Sequence, residues 1–250
     1  MSEYIPTQST QSTQTMQSIQ AMPSKVTFDL KARLFTFLVM MYTAIALCCD
    51  IIAFKMVNIG HDHALMAAAF LFPLLYVFTD VITELFGGKC ARFAVLVHIA
   101  CDLVFTFMIL FFIHLNSPSW WHNQAAYNTV LDPMGRLYIA GVIGGILSAV
   151  VNIYYLSKWK LLTNGKYFWL RSSVSTAIAI FVYTVTCDLI AFKTALSAKH
   201  LISVTTTNIL TNITFAVCYI VLANFIVKFI KYGLKIDSTD EKPSFNPFDI

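Results

Sequence analysis

The hydrophobic residues of this chain fall into six long runs separated by short polar segments. The runs cover about 34–54, 64–86, 93–115, 137–156, 174–196 and 201–229. A helix needs roughly 20 apolar residues to cross a bilayer, and each run supplies about that number. The pattern therefore predicts an all-α integral membrane protein with six transmembrane helices.

Polar segments flank this membrane domain, which we place at residues 29–235. Residues 1–28 are rich in Ser, Thr and Gln and contain no apolar core behind a basic region. They predict a disordered tail and not a signal peptide. Residues 236–250 predict a second polar tail, which is short and also disordered.

Composition supports a membrane location. Hydrophobic residues make up 58% of the 250 residues and charged residues 12%, against about 25% charged in soluble domains. The six cysteines show no Cys-x-x-Cys spacing, so neither a disulfide framework nor a metal site is indicated. The net charge of +4 gives no reason to expect nucleic acid as a partner, and no motif indicates a cofactor or nucleotide hydrolysis.

The distribution of Lys and Arg predicts the orientation. With a cytoplasmic N-terminus, the inner segments hold thirteen of the 17 Lys and Arg residues and the outer segments hold four. Cytoplasmic loops of membrane proteins carry the excess of positive charge. We therefore expect a multi-pass protein of the inner (plasma) membrane with both termini in the cytoplasm.

Five acidic residues lie within the apolar runs, where an ionised side chain costs roughly 2.5–3.5 kcal/mol. They are Asp50, Asp80, Glu84, Asp102 and Asp188. Asp80 and Glu84 are four residues apart and share one face of a helix. His98 and Asp102 have the same spacing, which allows a hydrogen bond and a proton relay.

Two interpretations of these polar residues are open. Ionisable groups at membrane depth mark substrate or ion pathways, and carboxylates would suit a cation, a proton or a donor-rich solute. They could instead be structural contacts between helices, as could Asn212 in the last run. A membrane enzyme fits poorly, because the sequence has no recognisable nucleophile–base or metal-ligand spacing.

A short repeat links the first and fifth runs. The segments Cys49–Lys55 and Cys187–Lys193 are identical at six of seven positions. Under the predicted topology both segments cross the membrane in the same direction. The match indicates either a trace of an internal parallel repeat, which recurs in transporters, or a coincidence.

The second run carries a more specific pattern: Phe-Pro, then Thr-Asp-Val-x-x-Glu-x-Phe-Gly, then Ala-Arg. It consists of Phe72-Pro73, Thr79-Asp80-Val81, Glu84, Phe86-Gly87 and Ala91-Arg92. The chain resembles the queuosine precursor transporter family of vitamin-uptake-like membrane proteins. Three features carry the resemblance: this pattern, the end of the first run at Asp50–Lys55, and Arg171 followed by Ser175-Thr176. The resemblance covers about residues 30–230.

The resemblance implies import of the 7-deazaguanine bases preQ0 and preQ1, which are precursors of a modified tRNA nucleoside. It also implies a six-helix fold similar to the substrate-binding subunits of energy-coupling-factor vitamin transporters. We expect ion- or proton-coupled or facilitative transport, with a homo-oligomer left open. The alternatives are a substrate-binding subunit of an ATP-driven vitamin or purine importer and a carrier of another flat nitrogenous solute.

Nine residues are the candidates for substrate and proton handling. The expected substrate-binding residues are Asp80, Glu84, Asp50, Asp188, Asn212, Tyr76 and Arg171, and the expected proton relay is His98 with Asp102. The chain departs from many relatives at Ile180 and Tyr183, where they carry Gln and Asp. It also has Asp50 for a usual Asn, and Thr207 or Asn208 for a usual Lys. These positions would contact a ligand, so a different purine is an alternative substrate.

Overall fold

The structure is a computed structural model that describes residues 8–53, 55–58, 64–192, 197–240 and 242–250; the side chains of 8–29, 64 and 192 are not described. In chain order the elements are α1 (Gln8–Ile52), β1 (Met56–Asn58), β2 (Ala64–Met66), a 3₁₀ helix (Ala67–Phe70), α2 (Phe72–Phe86), α3 (Gly88–Ile113), α4 (Gln124–Leu131), α5 (Met134–Leu162), α6 (Phe168–Phe192) and α7 (Ala198–Leu234). Six segments of the described chain are long and apolar enough to cross a membrane. The predicted six-span, all-α membrane fold is confirmed.

The chain divides into two compact units, Met1–Phe37 and Leu38–Ile250. The described part of the first unit is helical and forms the beginning of α1, from Gln8. The sequence predicts disorder for residues 1–28, of which 1–7 lie outside the described residues. The boundary between this tail and the membrane domain stays a prediction. The second unit contains the rest of α1 and all the elements that follow it.

The second apolar run is not one continuous helix. α2 has 15 residues, which span about 22 Å at 1.5 Å per residue, less than the roughly 30 Å of hydrocarbon. The preceding residues form β2, paired with β1 in the register Met56↔Met66, and then the 3₁₀ helix. Pro73 therefore lies in the first turn of α2, where its missing N–H removes no helical hydrogen bond. Non-helical backbone at membrane depth is tolerated where it is enclosed by protein or lines a cavity.

α2 is the central helix of the bundle. In its membrane-spanning segment 61% of the residues are buried, more than in any other described span. It packs against α3, α5, α6 and α7. The outward faces of the other helices carry exposed large side chains such as Phe107 and Phe229, as expected where lipid takes the place of water.

Glycines in α5 let α6 approach closely. A Cβ on Gly144 would lie 3.4 Å from Tyr183, which is in α6. Gly145 has open space on the side where a Cβ would point and borders the cavity described below. These small residues of α5 therefore serve packing and the cavity inside the bundle.

The C-terminal tail is docked against the bundle, where the sequence predicts disorder. Asp240 accepts hydrogen bonds from the backbone N–H of Gly88 (2.7 Å) and from Ser157 Oγ (2.9 Å). Arg92 donates from Nε to the carbonyl of Asp249 (2.6 Å). Because the acidic side chain of Asp240 lies at the positive N-terminal end of the α3 dipole, these contacts favour the docked tail. We call this end of the bundle, which contains the α2–α3 and α5–α6 turns, the tail end. The opposite end, which contains the paired strands β1 and β2, we call the hairpin end.

Candidate substrate-binding site

Asp80 lies in the interface between α2 and α6 and is fully buried. Its carboxylate accepts hydrogen bonds from Asn152 Nδ2 (2.5 Å), from Thr176 Oγ1 (3.0 Å) and from the hydroxyl of Ser172. All three donors are uncharged. Among the described residues, the carboxylate of Asp80 is thus stabilised by these hydrogen bonds and contacts no cation.

Glu84, one helical turn further along α2, is also fully buried but has cationic partners. Arg171 donates from Nη1 to Oε2 and from Nη2 to Oε1, each at 3.1 Å, in a bidentate pair. Lys231 Nζ donates to Oε1 at 2.5 Å, and Lys160 Nζ lies 3.7 Å from the same oxygen. Two acids and three bases thus meet at the tail end, in a group that we call the ion cluster: Glu84, Lys160, Arg171, Lys231 and Asp237.

Asp237, just after α7, completes the ion cluster. Its Oδ1 lies 2.6 Å from Lys160 Nζ and 3.1 Å from Lys231 Nζ. Partial burial acts to raise the pKa of Asp237, but the hydrogen bonds and charges of the two lysines outweigh it and hold the pKa below its usual value. Lys160 also donates to the carbonyls of Glu84 (2.6 Å) and Ser238 (2.5 Å), so it ties α2 to the C-terminal tail.

Next to Asp80 the bundle encloses a cavity of about 160 Å³. Helices α1, α2, α3, α5, α6 and α7 contribute to its wall, as do Met66 of β2 and Ala68 and Ala69 of the 3₁₀ helix before α2. Its polar lining consists of Asp50, Thr79, His98, Asp102, Ser148, Asn152, Thr184, Asp188, Asn208 and Asn212. Apolar cavities of about 150 Å³ in other proteins hold benzene, so this one suits a small ring compound.

The two copies of the repeated segment face this cavity together. Cys49 and Asp50 line it from α1 and Ala53 from just after that helix, and the corresponding Cys187, Asp188 and Ala191 line it from α6. Lys193, the last residue of the second copy, lies outside the described residues. The matching sequences thus place equivalent side chains at one site.

Five buried polar side-chain atoms in the described part of the chain have no hydrogen-bond partner, and every one belongs to a residue that lines the cavity. They are Asp50 Oδ2, His98 Nδ1, Asn152 Oδ1, Thr184 Oγ1 and Asn212 Oδ1. A buried polar group without a partner costs about 1–3 kcal/mol. Such groups are normally satisfied in a native protein. Their concentration around one cavity gives a ligand or water bound there several hydrogen-bonding positions.

Aromatic rings form much of the remaining wall. Phe72 and Tyr183 pack with ring centroids 4.4 Å apart and an interplanar angle of 34°. Tyr76 lies edge-on to Phe72 at 5.6 Å and donates its hydroxyl to the carbonyl of Ala179 at 3.4 Å. Tyr42 meets the ring of His98 at 5.2 Å. A cavity with aromatic walls and acceptor oxygens is suited to a flat ring with N–H groups at its edge.

Residues 66–226 match the family model described as "Putative vitamin uptake transporter". The match covers more than half of the chain. This chain belongs to the vitamin uptake transporter family. A comparison with curated proteins finds no match, and a comparison with solved structures finds none either.

Membership in this family makes the chain a multi-pass membrane transporter, so the cavity is its candidate substrate site. The matched region contains Asp80, Glu84 and Arg171. It excludes Tyr42 and Asp50 on α1, and it excludes Lys231 and Asp237 at the tail end. The chain therefore completes both the cavity and the ion cluster with residues outside the region that matches the family.

The structure divides the predicted site residues into two groups. The residues that line the cavity are Asp50, Tyr76, His98, Asp102, Asp188 and Asn212. Asp80 borders the cavity through Asn152, whereas Glu84 and Arg171 lie in the ion cluster, away from it. The ligand-binding roles of all these residues stay predictions.

The predicted proton relay lacks its direct hydrogen bond. Among the described residues, Asp102 accepts from Thr106 Oγ1 at 3.3 Å and not from His98. The Nδ1 atom of His98 has no hydrogen-bond partner within the part of the chain that the structure describes. Asp102 instead lies beside the carboxyl group of Asp50. A relay between His98 and Asp102 would need an intervening ligand or water.

Sequence reasoning missed several residues of both assemblies. Thr184 and Tyr42 are ordinary residues of apolar runs, with no spacing signal that singles them out. Lys160 and Lys231 counted only as positive charges that fix the orientation. Of the departures from related sequences, Tyr183 and Asn208 line the cavity, whereas Ile180 is buried away from it.

Proposed function

We propose that this protein imports queuosine precursors, 7-deazaguanine bases such as preQ0 and preQ1, through the cavity between its helices. Family membership supports uptake of a small solute. The resemblance of the α2 motif to queuosine precursor transporters supports the choice of base.

The observation that carries the proposal is the set of five unpartnered polar atoms around the cavity. Four of them are side-chain oxygens, which accept hydrogen bonds. A guanine-like base presents its N1–H and exocyclic amine side by side, and acceptor oxygens are suited to both. The aromatic faces of Phe72 and Tyr183 supply stacking surface for the ring.

In this proposal the acids of α2 have different roles. Asp80 holds Asn152 in position at the edge of the cavity and acts through it on the substrate. Glu84 pairs with Arg171 and helps to close the tail end of the bundle. Asp50, Asp188 and Asn212 contact the substrate directly.

The orientation of the protein in the membrane rests on the distribution of basic residues. With both termini in the cytoplasm, the ion cluster closes the cytoplasmic side, and the cavity reaches from Asn152 toward the outer, hairpin end. We place the protein in the inner (plasma) membrane and propose ion- or proton-coupled or facilitative import. No catalytic step is part of this proposal.

The test is the queuosine content of tRNA in a host that cannot make preQ0 and lacks its own importer. Cells that express the chain receive nanomolar preQ0, preQ1 or the free base queuine. Restored queuosine with one precursor supports the proposal and identifies the substrate. Absent restoration, with the protein shown to be in the membrane, contradicts it. The Asn212→Leu variant, which removes an unpartnered oxygen from the cavity wall, serves at equal expression as the loss-of-site control.

A further inference from the structure

We infer that the substrate of this cavity carries a positive charge, and that neutral analogues of the same shape bind more weakly. The inference deepens the proposed function and rests on the cavity being the substrate site. It starts from the charges in the wall. Asp50, Asp102 and Asp188 all line the cavity, and no Lys or Arg does so among the described residues.

None of these three carboxyl groups has a cationic partner in the described part of the chain. Asp50 Oδ2 is unpartnered. Asp102 Oδ1 accepts a hydrogen bond from Thr106. Asp188 Oδ2 accepts one from Thr205 Oγ1 at 2.7 Å. The only basic side chain in the described wall is His98, whose Nδ1 is unpartnered as well.

In the ion cluster, the charge of a buried acid is neutralised by basic side chains. Glu84 has two cations within 3.1 Å and a third at 3.7 Å. The cavity acids lie in the same bundle without any such partner. Two ionised carboxyl groups side by side, as Asp50 and Asp102 lie, repel each other, and an ionised group that is buried and unpaired costs several kcal/mol. An ammonium group on the ligand would offset both costs for each carboxyl group that ionises beside it.

Two neutral side chains show independently that the wall is arranged for a ligand. Asn152 is fully buried and Asn212 is 6% exposed, yet the Oδ1 atom of each has no partner. An ammonium or amidine-like edge donates several hydrogen bonds to such oxygens. The ring of Tyr42 or Tyr183 adds a face that attracts a cation.

The size of the cavity limits the ligand. About 160 Å³ accommodates a small flat ring with a short substituent inside the bundle. The inferred substrate class is therefore a planar heterocycle that bears a protonated amine on a short arm.

The test measures binding of matched pairs to the full chain in lipid nanodiscs by titration calorimetry. The first pair is preQ1, with a protonated aminomethyl group, and preQ0, with a neutral nitrile in its place. The second pair is pyridoxamine and pyridoxine, which differ by an ammonium and a hydroxyl group. We expect the cation of at least one pair to bind about tenfold tighter or more than its neutral partner.

Variants locate the preference. Asp50→Asn, with Asp188→Asn as a second choice should the first fail to fold, is expected to weaken cation binding about tenfold and to change neutral binding far less. Asp132→Asn, an exposed acid away from the cavity, is the matched control and is expected to change neither.

The outcomes separate this inference from the proposed function. Binding of pyridoxamine over pyridoxine, with neither preQ base bound, supports a cationic substrate and overturns the queuosine assignment. Equal or tighter binding of the neutral members, or a cation preference that survives both Asp variants, overturns the charge inference. If none of the four probes binds, both are overturned.

Discussion

Asn152 donates from Nδ2 to Asp80 at 2.5 Å, while its own Oδ1 is left without a partner in the wall of the cavity. A carboxylate only accepts hydrogen bonds, so it fixes which end of the amide turns toward it. The buried acid of α2 thereby determines that an oxygen, and not an NH₂ group, faces the ligand. Asp80 influences the cavity without lining it.

The first prediction is that Asp80→Asn lowers ligand affinity about tenfold while membrane insertion stays intact, since the loss of one charge-assisted hydrogen bond is worth about 1.5–3 kcal/mol. The replacement amide can donate as well as accept, so the side chain of Asn152 is free to turn over. Binding of preQ1 or preQ0 to the purified variant measures the effect.

A charge-exchanged double variant provides the control. In Asp80→Asn combined with Asn152→Asp, the new carboxylate would accept from the new amide and keep an oxygen toward the cavity. Partial recovery of affinity is expected. Unchanged affinity in the single variant would show that Asp80 does not orient Asn152.

The second prediction concerns Thr184, whose Oγ1 is buried and unpartnered in the cavity wall. Thr184→Val keeps the shape and removes the unsatisfied hydroxyl. We expect the free energy of unfolding to rise by about 1 kcal/mol, or roughly 2 °C in a chain of this size, while substrate affinity falls. Thermal unfolding and titration of the same sample measure both quantities.

Thr83→Val is the matched comparison. Thr83 is equally buried, but its hydroxyl donates to the carbonyl of Thr79 at 2.8 Å, and the residue does not line the cavity. This variant is expected to leave affinity unchanged. A loss of stability in Thr184→Val would mean that its hydroxyl is satisfied within the protein.

The sequence was informative where periodicity and chemistry coincide. Asp80 and Glu84 share one face of α2 at a spacing of four residues. Helix α6 runs antiparallel to α2 and supplies a partner to each acid, Arg171 to Glu84 and Thr176 to Asp80. The two motifs that carry the family resemblance are thus two sides of one interface. The six spans followed from hydropathy alone, because lipid demands long apolar helices.

The separation of the acids into two environments could not be predicted. Asp80 and Glu84 look alike in sequence, and only packing brings Lys160 and Lys231 to one of them. The break before α2 was also missed, because the residues from Ala64 to Leu71 are as apolar as those of a membrane-spanning helix. The docking of the C-terminal tail was not predicted. The partner of Asp240 is the backbone N–H of Gly88, which only the folded turn between α2 and α3 makes available.

The third prediction separates structure from binding at Glu84. Glu84→Gln leaves Lys160, Arg171 and Lys231 with a single acid, Asp237, as partner. Removing one member of a buried ion pair costs about 3–5 kcal/mol, so we expect a strong loss of thermal stability. Ligand affinity of the fraction that folds is expected to stay unchanged, because Glu84 does not line the cavity. Lost affinity at normal stability would instead assign Glu84 to the substrate, as the sequence predicts.

The fourth prediction tests the docked tail at Gly88. A Cβ there would lie 2.6 Å from Asp240 Oδ2 and 3.0 Å from Ile153 Cγ2. Gly88→Ala is therefore expected to displace Asp240 and to lower the free energy of unfolding by about 1–3 kcal/mol. Limited proteolysis after residue 236 is expected to become faster. In the presence of Asp240→Ala the same Gly88 change should cost less, and strictly additive effects would show that the tail does not contact this turn.

The last prediction is a pH dependence of stability through Asp237. Because Lys160 and Lys231 hold its pKa below the usual 3.8, folding favours the ionised form. Its contribution is therefore complete above about pH 4 and is lost as the pH falls through the lowered pKa. The difference in unfolding temperature between the native chain and Asp237→Asn should be constant from about pH 5 to 8 and shrink below about pH 3.

Because the side chain of Asp237 is 51% exposed, the difference should be small and should decrease with added salt. A difference that grows on acidification would contradict the assignment of Asp237 to the ion cluster.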